Sequence, residues 1–240
     1  MKLALESRTD MLDMVQPFAD FDWILGHKVL EDEEYARHYA DSTKVKFVDN
    51  SVNEVGEPLL VEDLRKIFDL VGGSYVVSPD WVGDKVKTIV AFQECSKEFG
   101  RPRTVGVVQG SSFEEALGCA ELYGPGWIAV PYDVCSKKTD PPWLMAMRRA
   151  LVVCNIPPER HIHLLGFTSL EEFYWYTGRP EVVSMDTGVP VLLGLQGKDI
   201  LEPLETKEVA TYNQMEQMEL TQTGWTAICR NIALLRRYLP

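Results

Sequence analysis

Short continuous apolar runs, each ending in a polar or turn residue, recur along this chain and constrain its fold more than any other feature. They are FDWILG (21–26), VKFVDN (45–50), SYVVSPD (74–80), TVGVVQG (104–110), WIAVPYD (127–133), HIHLLGF (161–167) and VVSMDTG (182–188). Each is rich in Val, Ile or aromatic residues and has the length of a buried strand. Segments of helical period lie between them, at 61–71, 84–99, 112–123, 141–154 and 169–178. Ser112 and Ser169 stand before acid pairs, as helix starts do, and Gly100, Gly124 and Gly178 stand where helices stop. Strand and helix alternating in this way, with strands apolar throughout, specify a parallel sheet covered by helices.

Two α/β architectures compete at this point, an open doubly wound sheet and a closed (β/α)8 TIM-type barrel. The first run is followed by GHKVLEDE and not by the glycine fingerprint of a dinucleotide fold, and the number of units favours the barrel. VPVLLGL (189–195) is the candidate eighth strand. One domain is expected over 1–240, with irregular first and last units. Residues 1–44 would be an N-terminal segment with the first strand, 45–195 the motif-bearing core and 196–240 a helical tail. That tail predicts a terminal helix from about Lys207 to Tyr238, broken at Gly224.

No apolar run reaches the length of a membrane span, and acids fall too early in the first thirty residues for a signal peptide. A soluble cytoplasmic protein without a membrane partner is therefore expected. The five Cys are widely spaced with no C-x-x-C pair, which argues against a zinc knuckle or a disulfide framework. A net charge of −12 argues against a sequence-independent nucleic-acid coat, while leaving room for a local basic patch.

In a barrel, chemistry sits at the C-terminal ends of the strands. Those ends carry Asp49-Asn50, Asp80, Gln109-Gly110, Pro131-Tyr132, Gly166 and Asp186. Any one aspartate after a strand is an ordinary turn or cap residue. All of them at equivalent ends would converge on one mouth. His161 and His163 share one face of their strand but lack a clear third ligand, so structural roles and no metal are expected. Facing carboxylates suit glycosyl chemistry, in which one attacks an anomeric carbon and the other shuttles a proton.

The ordered set FVDNSVNE, SPDWVGD, VVQGSS, WIAVPY, HLLGF and SMDTGVP resembles the tRNA-guanine transglycosylase superfamily, over about residues 45 to 195. It is most similar to the DNA-acting 7-deazaguanine transglycosylases of phages and genomic islands. The resemblance implies a pentosyltransferase that replaces guanine in DNA with a free 7-deazaguanine base, such as the 7-cyano form, with no cofactor. Asp186 would be the nucleophile on C1′, and Asp49 the proton-handling aspartate that contacts the base. Asn50 stands beside it. Asp80 would read the guanine edge, and Gln109 and Gly110 would bind the carbonyl side. Val130 and Pro131, with Ala129, would supply backbone contacts, and Leu165 and Gly166 one wall.

Some residues depart from the family pattern. Only Cys229 and no His follows Asp186, so the three-Cys-plus-His zinc site of the tRNA enzymes has no counterpart. Asn53 stands where an aromatic residue usually packs on the base, and Thr-Gly-Val-Pro-Val lacks an arginine that often closes the nucleophile motif. His27, Lys28, Lys137 and Lys138 are the candidate nucleic-acid contacts, with ordinary solvated lysines as the alternative. The acidic balance leaves room for a helper protein that delivers or opens the duplex. The competing readings are the same chemistry on RNA and a non-catalytic nucleobase- or nucleic-acid-binding member of the fold.

Overall fold

A computed structural model describes residues 1–137, 139–166, 169–201 and 212–240. Among these, the strands are β1 (Lys2–Leu5), β2 (Asp22–Leu25), β3 (Lys46–Asp49), β4 (Tyr75–Val77), β5 (Thr104–Val107), β6 (Gly126–Pro131), β7 (Arg160–Leu165) and β8 (Val182–Thr187). They form one eight-stranded sheet in the order β1-β8-β7-β6-β5-β4-β3-β2, parallel at every pairing. β1 and β2 lie side by side and nearly close the sheet into a (β/α)8 barrel. At that seam Asp20 completes the pairing: its amide donates to Leu3 O (2.7 Å), and its carboxylate accepts from Leu3 N (2.8 Å).

Helices cover the sheet. α1 (Leu12–Val15) joins β1 to β2, and α2 (Gly26–Glu31) and α3 (Glu33–Asp41) lead to β3. α4 (Val52–Val55) and α5 (Val61–Val71) lead to β4, α6 (Lys85–Phe99) to β5, α7 (Phe113–Leu122) to β6 and α8 (Pro142–Asn155) to β7. After β8 come α9 (Val189–Leu195), α10 (Tyr212–Glu216) and α11 (Gln222–Tyr238). The start and stop signals act as their chemistry requires. The Ser112 side chain accepts from Glu115 N, and Gly124 takes a left-handed φ of 66° after α7.

Three expectations are corrected. The eighth strand is not 189–195 but Lys2–Leu5, so every expected strand moves up by one in the count. The 189–195 run is helix α9, with Pro190 in its first turn and Thr187 Oγ1 accepting from Val189 N (3.0 Å). It packs so closely on α11 that a Cβ on Gly194 would stand 2.6 Å from Ile228 N, and its residues through Gly194 are buried. A helix apolar all round shows no period that would separate it from a strand. The 169–178 segment forms a 3-10 helix over Leu170–Tyr176. Gly224 lies within α11, and the chain breaks before it, between α10 and α11. The part of the expected terminal helix over 207–211 lies outside the described residues.

Aromatic rings fill the barrel. Trp23 stacks on His163 with centroids 4.4 Å apart and planes 7° from parallel, and Phe47 stacks on Trp23 at 5.9 Å and on Tyr75 at 4.6 Å. Outside the β7 end, α8 sends Arg149 into a fully buried bidentate pair with Glu172 (2.5 and 2.6 Å). The Tyr176 hydroxyl also donates to Glu172 (2.6 Å). The remaining guanidinium nitrogen donates to the Leu165 and Gly166 carbonyls (2.9 and 3.1 Å), tying down the turn after β7. Arg149→Met leaves Glu172 buried without its cation, and a loss of about 3–5 kcal/mol is expected in urea unfolding. Arg149→Met with Glu172→Leu should recover most of that loss, because no charge is then stranded.

Candidate active site

Strands that alternate by two send every second side chain into the barrel. On β8 this places Ser184 and Asp186 inward, on β7 His163 and Leu165, and on β3 Phe47 and Asp49. The top layer opens into a pocket enclosing about 850 Å³, its open mouth included. Asp49, Asn50, Asp80, Gln109, Pro131, Leu165, Gly166 and Asp186, expected from sequence to meet, all line it. Trp23, Val52, Val82 and Val189 supply apolar walls. Gly110 and Val130 do not line it. A Cβ on Gly110 would lie 2.6 Å from Ala116 N, so that glycine serves the close approach of α7, and Val130 is buried in the core outside the barrel.

Asp186 is buried and held from below. Its Oδ1 lies 2.8 Å from His163 Nε2 and accepts from Gly166 N at 3.3 Å. His163 Nδ1 lies 2.9 Å from the Ser184 hydroxyl. The tautomer that suits both partners has the Ser184 hydroxyl donating to Nδ1 and Nε2–H donating to the Asp186 carboxylate. Gly166 needs its glycine: its φ is 70°, and a Cβ would meet the Tyr132 ring at 2.8 Å.

Asp49 ends β3 and begins a tight turn. Its carboxylate accepts from Ser51 N (2.8 Å), and Asn50 Oδ1 accepts from Val52 N (2.9 Å). Ser51 is buried with a left-handed φ of 60°, a conformation unfavourable for a side-chain-bearing residue and commonest at functional sites. The His27 amide donates to its hydroxyl (3.1 Å). Burial, and next the Glu54 carboxylate, push Asp49 well above the ordinary carboxylate range.

Asp80 lies in a carboxamide clamp. Asn50 Nδ2 donates to one oxygen (2.8 Å) and Gln109 Nε2 to the other (2.7 Å). Gln109 Oε1 in turn accepts from Gly83 N (3.0 Å). Burial outweighs these donors and pushes Asp80 up to about 6.

Sequence reasoning missed several residues here. Glu6, just past β1, and Glu54, on α4, both line the pocket, and burial raises both above the ordinary carboxylate range. His163 was expected to be structural, yet it orients Asp186. Alternation along KLALE would have aligned Glu6 with Ala4, whose register partner is Asp186, had β1 been recognised. The expected phosphate contacts are largely corrected. His27 and Lys28 are buried, and the Lys28 ammonium is taken by Glu216 (3.0 Å) and Glu31 (3.5 Å). Lys137 is exposed on the loop between β6 and α8, and Lys138 lies outside the described residues.

Among the described residues, no group of three or more His, Cys, Asp or Glu is arranged to hold a metal ion. The arrangement offers an oriented carboxylate, an acid that burial raises above the ordinary carboxylate range and a hydrogen-bonding edge, all around an apolar slot. Compared with protein-family models and with curated proteins, the chain finds no match.

The clamp on Asp80 has a pH signature. The folded state keeps its proton to a higher pH than the unfolded chain does, so its stabilising contribution is present at low pH. That contribution is lost as pH rises through about 6. Against Asp80→Asn, the wild type should lose up to about 3 kcal/mol of relative stability between about pH 4 and about pH 8 in urea titrations.

Proposed function

We propose that this protein is a base-exchange enzyme that replaces guanine in DNA with a 7-deazaguanine base, such as the 7-cyano form, through a covalent link between Asp186 and C1′. The ordered motifs that resemble the guanine transglycosylases support this reading. The observation that carries it is the placement of Asp186, buried at a strand end with Oδ1 held by His163 and Gly166, in one pocket with Asp49, an acid that burial raises well above the ordinary carboxylate range. Both lone pairs of Oδ1 are occupied, which leaves Oδ2 to attack.

The steps follow from these positions. A base cannot be reached inside a duplex, so it is flipped into the pocket or presented in a single strand. Trp23, Val52, Val82 and Leu165 give it apolar surroundings. Asp80 keeps a second lone pair on each clamped oxygen to accept the N–H groups of a guanine edge. Gln109 keeps one amide hydrogen for the base carbonyl, its other groups being held by Asp80 and Gly83. Asp186 Oδ2 bonds to C1′ as the C1′–N9 bond breaks. The electron pair goes to the base, which takes the Asp49 proton and leaves. The incoming base gives its N9 proton to the Asp49 carboxylate and attacks C1′, and Asp186 departs as carboxylate. Two displacements retain configuration, as in retaining glycosidases. The raised acid and the oriented carboxylate share one pocket, the usual division of labour between acid and nucleophile.

Incubation with radiolabelled guanine, with DNA and tRNA in separate reactions, tests this directly. Label is expected in DNA. Asp186→Ala should abolish both incorporation and the adduct seen on denaturing gels while leaving base binding intact. Asp49→Asn should slow exchange by about 10²–10⁴-fold. Label in tRNA alone moves the same chemistry to RNA, and label in neither polymer removes the exchange reading.

A further inference from the structure

Glu6 has no part in the steps above, yet it stands at their centre. It lies one residue past β1, and its amide donates to Thr187 O (3.1 Å), which extends the pairing of β1 with β8 beyond Leu5. That pairing sets Ala4 beside Asp186, so the next inward side chain on β1 reaches over Asp186. The Glu6 side chain is buried, lines the pocket and lies within hydrogen-bonding reach of Asp186. Two carboxylates in such contact cannot both be ionised in a buried site, so the pair shares one proton. His163 and Gly166 already donate to Asp186, an arrangement that favours its charged form. The proton therefore belongs to Glu6.

We infer that Glu6 is a positioning residue for base exchange: its carboxylic acid donates to the Asp186 carboxyl and stabilises the charge that returns there when the glycosyl–enzyme bond breaks. This rests on the exchange reading of the site. Glu6 keeps its proton throughout. In the free enzyme its O–H donates to one lone pair of Asp186 Oδ2, and in the covalent state to the lone pair that this oxygen keeps once it is the ester link to C1′. In the second displacement the Asp186–C1′ bond breaks, its electron pair returns to the carboxylate, and the donor strengthens as that charge grows. The groups facing Glu6 are Asp186 on β8, Asp49 at the end of β3, Glu54 on α4 and Tyr39 on α3. All are acids or a phenol, and none can neutralise an ionised Glu6. Burial first and Asp186 next hold its carboxyl well above the ordinary carboxylate range.

The experiment pairs Glu6→Ala with Glu6→Gln. The alanine variant loses the donor, so the covalent adduct should form yet resolve about 100-fold more slowly than in wild type, and accumulate. The glutamine variant keeps an N–H donor and should stay within about tenfold of wild type. The alkaline fall in rate caused by Glu6 ionisation should vanish in Glu6→Gln. Equal loss in both variants, or fast adduct resolution in Glu6→Ala, overturns the inference. A second readout needs no turnover. In the infrared carbonyl band of protonated acids, a component present in wild type at neutral pH should be missing from Glu6→Gln, while the Asp49 component remains. In Asp186→Asn it should titrate at lower pH, because the neighbouring charge is gone. No band difference between wild type and Glu6→Gln removes the pair even if exchange is confirmed. A clear difference in a protein that exchanges no base keeps the pair and removes only its assigned role.

Discussion

Burial of carboxyl groups together, at one end of a barrel, is the constraint on which the site depends. Glu6, Asp49, Glu54, Asp80 and Asp186 line one pocket, and among the described residues no lysine or arginine lines it with them. In water such a group would spread apart and ionise. Here the strand pairings hold the members in place, and desolvation falls on the charged form of each. The energy is lowered by sorting the group into acids that keep their protons and acids that do not. Burial first, and neighbouring carboxylates next, raise Glu6 and Asp49 well above the ordinary carboxylate range. Asp80 meets two carboxamide donors and is raised only to about 6, and Asp186 meets an imidazole and a backbone amide. Donor placement thus turns chemically similar groups into different reagents.

Those donors are fixed by groups farther out. The Gly166 amide points at Asp186 because the turn after β7 is held from behind, where Arg149 binds the Leu165 and Gly166 carbonyls. Arg149 can be buried there only because Glu172 meets it bidentately. The His163 ring lies flat on Trp23, with Phe47 near both, while Ser184 sets its tautomer. The aromatic barrel interior therefore works as a jig for a hydrogen bond as well as apolar filling.

Much of this was legible in the sequence because strand ends are punctuated. Asp49, Asp80, Gln109 and Asp186 each follow an apolar run that a buried parallel strand requires, and the barrel brings equivalent ends together. The losses have physical causes. β1 is four residues long, with only three apolar, too short to stand out as a run. Missing it hid Glu6, since nothing then set that residue in register with Asp186. Helix α9 is apolar on every side and carries no period, so it passed for a strand. Lys28 looked like a solvated cation because its acidic partner Glu216 lies far along the chain. His163 was visible as one of two histidines at alternate positions. That it meets an aspartate two residues from the end of the next strand follows only from the register of β7 with β8.

The same register bears on the segment after Asp186, the nucleophile of the proposed exchange. Thr-Gly-Val-Pro after Asp186 carries no arginine, and the family resemblance expects one to help hold the substrate. In this chain Thr187 Oγ1 accepts from Val189 N at the start of α9, and Val189 turns an apolar face to the pocket, so the segment is committed to structure. Orientation of Asp186 comes instead from β7, through His163 and Gly166, and from β1, through Glu6. A carboxylate held from both neighbouring strands needs no cation beside it to keep its geometry. Without that cation the pocket lining stays acidic and apolar, which favours the neutral form of Asp49. An arginine beside Asp186 would stabilise its charge in place of the neutral donors. It would also favour the charged form of Asp49 and so weaken the proton donor that the proposed exchange uses.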